Sequence, residues 1–266
     1  MRNKITFIVF TIILFTACSR QEDPVPPKEG KILVLMYHRI VKGEATDLYE
    51  RSVLNFEADL KYLRANEINV LNFSNLEAAT TSGKMPYGNS VIITFDDGDH
   101  SWYPLVKPLL LQYKMKATFF LWTHMIGQNS FLTWNEVEEM SRYTLDNGEK
   151  PFIFGSHTFS HAHLLQDKSD FGNMDEYNSF LDYELRESKE LIESHVPGEV
   201  TGLSLPFGDG AGDPDIISGA KRNGYKYIRT SKWEVISNPA INLYAVPSLP
   251  ILDTTRSELI GYYLNL

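Results

Sequence analysis

The chain has 266 residues, 43% hydrophobic and 12% aromatic, the make-up of a soluble globular protein with room for one large α/β domain or two small ones. Its 34 acidic against 25 basic residues give a formal net charge of −9, which argues against nucleic acid or an anionic membrane face as the main partner and is compatible with a neutral or cationic one. No stretch recurs at a period of 20–50 residues, which argues against a solenoid.

Residues 1–18 read as a signal peptide: "MRNK" is basic, "ITFIVFTIILF" is apolar but too short to span a bilayer comfortably, and "TAC" offers a small-residue cleavage context. Cys18, the single cysteine, sits at that junction, and the segment resembles a bacterial lipoprotein signal, although Phe15 stands where such signals usually carry leucine. That resemblance implies cleavage before Cys18 and lipid modification there. A chain with no other cysteine fits an exported protein that does not rely on disulfides. Residues 19–30, "SRQEDPVPPKEG", are charged and proline-rich and read as an extended tether. The expectation is a monomeric protein, lipid-anchored in the bacterial cell envelope or else secreted or periplasmic, that meets a membrane only through its anchor.

Residues 31–266 read as a single domain of alternating strands and helices. "KILVLMYH" (31–38) is a continuous apolar run, as expected of a strand buried on both faces. A helix follows from Asn55 to about Glu67, with Phe56, Leu60 and Leu63 at helical spacing. "INVLNF" reads as a strand, "SNLEAAT" as a short helix and "SVIITF" (90–95) as the next strand. "YPLVKPLLLQYK" reads as a helix and "KATFFLW" (116–122) as a strand. Thr133 and Glu136 form a capping box that opens a helix through "WNEVEEMSRYTL". "FIFGS" (152–156) is a strand and "EYNSFLDYELRESKELIESH" (176–195) a long amphipathic helix. "VTGLSLPFG", "YKYIRT" and "VPSLPIL" supply three further strands. Seven or eight mostly parallel strands separated by helices predict a distorted (β/α) barrel, in which chemistry gathers at the C-terminal strand ends.

The polar residues suited to chemistry fall at such ends: His38 after the first strand, Asp96 and Asp97 in "TFDDG", His157 and His161 in "HTFSH". Asp-Gly is a favoured turn dipeptide, and a histidine pair four apart, sharing one face of a helical turn, is common without a ligand. Together, however, two imidazoles and a carboxylate make a three-point site for a divalent metal, suited to hydrolytic zinc or to non-haem iron. The second aspartate favours the hydrolase, which needs an unligated carboxylate as base.

"TFDDG" and "HTFSH", in that order and about 60 residues apart, resemble the first two motifs of the NodB-homology polysaccharide deacetylases, carbohydrate esterase family four. The resemblance runs over roughly residues 31–253. It implies a metal-dependent hydrolase of distorted-barrel fold that removes N-acetyl groups from N-acetylglucosamine polymers, with Asp96 as catalytic base and Asp97, His157 and His161 as ligands of one divalent metal, Zn2+ or else Co2+ or Ni2+. Two departures stand out. "SLPFG" has Ser204 where the family's third motif carries the arginine that orients the base, with Pro206 and Phe207 in the turn that would offer a backbone N–H to the oxyanion. The late histidine that serves as general acid is absent from "VPSLPILD", which leaves His38, in a "YH" element resembling the poly-β-1,6-N-acetylglucosamine deacetylase branch, as the candidate acid. An O-acetyl esterase acting on xylan or a related glycan, and a carbohydrate-binding pseudoenzyme, are the alternatives.

Overall fold

The computed structural model describes residues 29–266, so the signal peptide, Cys18 and nearly all of the tether lie outside the described residues. In chain order it contains β1 (Ile32–Tyr37), β2 (Arg39–Val41), β3 (Glu50–Ser52), α1 (Val53–Ala65), β4 (Asn69–Leu71), α2 (Phe73–Ser82), β5 (Ser90–Asp97), α3 (Val106–Tyr113), β6 (Ala117–Leu121), α4 (Trp134–Arg142), β7 (Phe152–Ser156), α5 (Met174–His195), β8 (Gly202–Ser204), α6 (Pro214–Arg222), β9 (Tyr227–Arg229), β10 (Leu249–Pro250) and α7 (Glu258–Leu264).

Eight strands form one parallel sheet in the order β10-β1-β5-β6-β7-β8-β9, with β4 on the first half of β5 where β6 has not yet begun. The sheet curls, and one short segment draws its two edges together. Val246 donates to Ile228 O and accepts from Thr230 N, while Leu249 and Pro250 a few residues later pair with Leu35 and Met36. This is the expected distorted barrel. Alternation along the strands sets its two faces. Leu33, Leu35, Val91, Ile93 and Phe119 pack outward under the helices, while Ile32, Val34, Ile92, Phe120 and Tyr227 fill a second, inner cluster.

Local chemistry moves several boundaries. Ser52 caps α1 by accepting from Asn55 N, so that helix starts two residues before the predicted Asn55. Asn173 accepts from Asp175 N and Glu176 N and starts α5 at Met174. The expected helix over 103–114 forms only from Val106, because a single 3₁₀ turn occupies His100–Trp102. The helix opened by Thr133 stops at Arg142, three residues short of the predicted end. The three-residue β2 and β3 pair with each other outside the main sheet, and α7 packs on β1. Neither was expected, since elements this short carry no readable period.

Glu29 bridges Tyr87, and Gly30 N donates to Pro86 O at 2.8 Å, so the chain enters at the N-terminal ends of the strands. Among the described residues no helix is long and apolar enough to cross a membrane.

Candidate active site at the C-terminal strand ends

A cavity of about 440 Å³ opens at the C-terminal end of the barrel, within the usual range for small-ligand pockets. Its floor and walls carry His38, Asp96, Asp97, His157, His161 and Arg229. Strand alternation alone would send Asp96 and Asp97 to opposite faces. Asp97 avoids this by taking φ 88°, followed by Gly98 at 101°, and so swings back to the same cavity as its neighbour.

Asp97, His157 and His161 bring one donor atom each to within 4.8 Å of one another. Both imidazole Nε2 atoms stand 3.4 Å from Asp97 Oδ1. Donors about 2.1 Å from one tetrahedral ion stand about 3.4 Å apart, so the arrangement fits a divalent cation such as zinc. His157 Nδ1 lies 2.9 Å from Ser204 O, and a carbonyl only accepts, so this nitrogen carries the proton and Nε2 offers its lone pair to the site. Burial alone would raise the Asp97 carboxyl, but hydrogen bonds and charge from the two imidazoles hold it well below the usual carboxylate range.

The histidine pair is not on a helical turn, contrary to expectation. The segment after β7 is irregular, and the left-handed φ of Thr158 (63°) and His161 (64°) folds it back until the two rings are 4.8 Å apart. Each such conformation costs about 1–3 kcal/mol in a non-glycine residue and persists only where neighbours impose it. Glu184 of α5 supplies that restraint: its buried carboxylate accepts from Phe159 N, Ser160 N and Ser160 Oγ, at 3.1, 2.8 and 2.7 Å. The His161 ring is further held between Trp122 and Phe207.

Asp96 is buried and its Oδ2 accepts from Arg229 Nη2 and from Ser204 Oγ. Ser204 and Arg229 are register partners on β8 and β9. The arginine missing from the third motif is therefore replaced by one from the adjacent strand, and Ser204 fills the space between. Asp96 Oδ1 has no hydrogen-bond partner. Arg229 was not anticipated. The signal that could have found it is a lone charge ending the apolar strand "YKYIRT", at the barrel end where chemistry gathers.

His38 borders the cavity, its carbonyl accepting from Trp102 Nε1 at 2.7 Å and its ring 4.6 Å from that of Tyr49. Burial lowers its pKa below the ordinary histidine value against the opposing pull of Asp96 and Asp97, so the imidazole is neutral at pH 7. Pro206 opens a one-turn 3₁₀ helix in which Phe207 takes φ 58°. The turn uses the N–H groups of Gly208 and Asp209 for Leu205 O and Pro206 O, while the Phe207 ring stacks on His163 at 4.0 Å. His100 instead bonds Glu136 and His124 packs on Phe159. Trp102 is core, whereas Trp233, expected in the framework, is 61% exposed at the cavity mouth.

The sequence profile of the polysaccharide deacetylase family matches residues 83–228, more than half of the chain. The chain belongs to this family. The deacetylase is a hydrolase, and its relatives share its length as well as its motifs. It is 26% identical over 249 residues to a poly-beta-1,6-N-acetyl-D-glucosamine N-deacetylase of Staphylococcus epidermidis, covering 88% of this chain and 83% of that protein. A polysaccharide deacetylase of Bacillus cereus, BC0361, superposes with a TM-score of 0.70 at 25% identity over 89% of this chain and 69% of that one. The Streptococcus pyogenes deacetylase PplD, solved in complex with acetate, shares the fold at a TM-score of 0.75 and 21% identity, over 89% and 99% of the two chains.

Proposed function

We propose that this deacetylase removes N-acetyl groups from N-acetylglucosamine units of a polysaccharide by metal-dependent amide hydrolysis. The observation that carries the reading is the pair of adjacent aspartates: Asp97 completes a three-donor cluster, while Asp96, pinned by Arg229, keeps one oxygen unpartnered at the same cavity. The named Staphylococcus relative and the family match support the substrate class.

Asp97, His157 and His161 would hold one divalent cation, most suitably Zn2+ with Co2+ or Ni2+ as substitutes, whose chemistry there is to polarise the acetyl carbonyl and acidify water. Asp96 Oδ1 takes the proton of the attacking water. Arg229 keeps Asp96 ionised and fixes its orientation through Oδ2. The Phe207 N–H, left out of the turn's hydrogen bonding, donates to the developing oxyanion, with Pro206 setting the turn. His38 delivers a proton to the departing amine. Because His38 is neutral at rest, it acquires that proton within the cycle, and Asp96 across the same cavity is the group that has just taken one from water.

Residues 1–18 act in this reading as a lipoprotein signal ending at Cys18, and 19–30 as a tether. The chain enters the barrel at the end opposite the cavity, so an anchor at Cys18 would leave the mouth facing away from the membrane, toward an exported polymer.

The test is acetate release from β-1,6- and β-1,4-linked N-acetylglucosamine oligomers and from acetylxylan, using metal-stripped and zinc- or cobalt-reloaded protein. Activity on the amide oligomers that vanishes on stripping and returns on reloading is expected. Release from acetylxylan alone would make the protein an O-acetyl esterase, and glycan binding without any release would make it a pseudoenzyme. Full activity in His38→Ala would remove His38 from the role of acid.

A further inference from the structure

A second cavity of about 470 Å³ adjoins the first, and the two share Asp97, His38 and Tyr49. Tyr49, half-exposed and packed on the His38 ring, is the partition between them. The far wall of the second cavity is built on Arg39. Its Nη1 lies 3.4 Å from Glu50 Oε1 and its Nε 3.4 Å from Asp99 Oδ2, while half of the side chain stays exposed. Glu50 is itself fixed by Thr46 N, Thr46 Oγ1 and Asp47 N, at 2.7, 3.1 and 3.2 Å, and Asp99 by Ser101 N at 2.8 Å. A guanidinium has five N–H groups, so two carboxylates hold Arg39 in place and leave its Nη2 hydrogens for another acceptor. Phe131 adds an apolar surface to the same cavity.

We propose that this second cavity is a subsite for the sugar unit next to the one being deacetylated, with Arg39 donating to a hydroxyl or acetamide oxygen of that neighbour. The proposal rests on the deacetylase reading. A polymer cannot place one unit at Asp97 without placing the next in space that also reaches Asp97, and this cavity is such space. A polar wall with a preorganised donor and an aromatic surface is the chemistry by which a neutral pyranose is held. Because Glu50 and Asp99 are already committed to N–H donors, the free valence of the wall is a donor, which selects an oxygen-bearing neutral unit.

The experiment compares kcat/KM for acetate release from the mono-, di- and trisaccharide of β-1,6-linked N-acetylglucosamine, in wild type and in Arg39→Ala, Arg39→Lys and Phe131→Ala. Equilibrium binding of the trisaccharide is measured in parallel in an Asp96→Asn background. Wild type is expected to favour the trisaccharide over the monosaccharide at least tenfold. Arg39→Ala should lose about tenfold of that ratio and of trisaccharide affinity, as for one charge-assisted hydrogen bond. Arg39→Lys, which keeps the ion pairs but not the fork, should fall between. An unchanged ratio and unchanged affinity in both Arg39→Ala and Phe131→Ala would overturn the subsite. Absence of acetate release from every oligomer in wild type would instead overturn the deacetylase reading, and the binding comparison would still decide the subsite.

Discussion

Arg51–Asp59 and Arg229–Asp96 are both buried arginine–aspartate pairs of one barrel, with side chains exposed by 3% or less. Around Asp59 every oxygen is answered. Oδ1 accepts from Arg51 Nη2 and Ser257 Oγ, each at 2.7 Å, and Oδ2 from Tyr37 OH at 2.9 Å. Arg51 also donates to the carbonyls of Leu252 and Thr255, tying the segment after β10 to the start of α1. Around Asp96 both donors, Arg229 and Ser204, converge on Oδ2, and Oδ1 is left without a partner. An unpaired buried carboxylate oxygen is costly, so a fold retains one only where something outside the fold uses it. The same pair of residue types thus makes a structural rivet in one place and a poised base in the other, and the count of satisfied oxygens separates them.

Crossed substitutions give the largest expected effects and would break the comparison most directly. Asp96→Asn should lower kcat for acetate release by about 10²–10⁴-fold, the usual worth of a general base, with a smaller change in thermal midpoint. Asp59→Asn should do the reverse. It leaves a buried Arg51 charge poorly compensated and should cost about 3–5 kcal/mol in denaturant unfolding, while kcat per folded molecule changes little. If Asp59→Asn instead removed activity from folded protein, the rivet and the base would not be separable.

A second, smaller effect sharpens the contrast at Glu184, a buried carboxylate with both oxygens occupied that acts on the site from outside it. Glu184→Gln should weaken Zn2+ or Co2+ binding about 10–100-fold in competition with a chromophoric chelator, the range expected for loss of an outer-shell partner. The Co2+ absorption bands should shift as the strained 158–161 turn relaxes. An unchanged affinity in folded protein would show that the turn holds itself.

The difference between these carboxylates also marks what could be read before the structure was known. The aspartate pair and the two histidines were legible because each sits within a few residues of its partner. Arg229 was not, because it reaches Asp96 only through the register of β8 against β9, 25 residues after the Ser204 it compensates. The barrel was legible from continuous apolar strands such as β1, β5 and β6. The β2–β3 pair, which carries Arg39 and Glu50 to the second cavity, was not, because three-residue strands have no period. The left-handed residues at Asp97, Thr158, His161 and Phe207 were equally hidden, since none is a glycine and their conformation is imposed by neighbours such as Glu184.

Glu50 offers the mildest test of whether satisfied carboxylates are structural. N–H donation from Thr46, together with its hydroxyl, Asp47 N and Arg39, outweighs burial and holds the Glu50 carboxyl below the usual range. A carboxyl whose folded pKa is depressed stabilises the fold fully above its unfolded value of about 4.3, and that contribution is lost as pH falls through the lower folded value. Amide exchange at Thr46 and Asp47 should therefore stay slow at neutral pH and quicken below about pH 4. Glu50→Gln should exchange faster throughout and lose this acid-side dependence. Retention of the dependence in Glu50→Gln would assign it to another carboxylate of the same wall, with Asp99 the next in contact with Arg39.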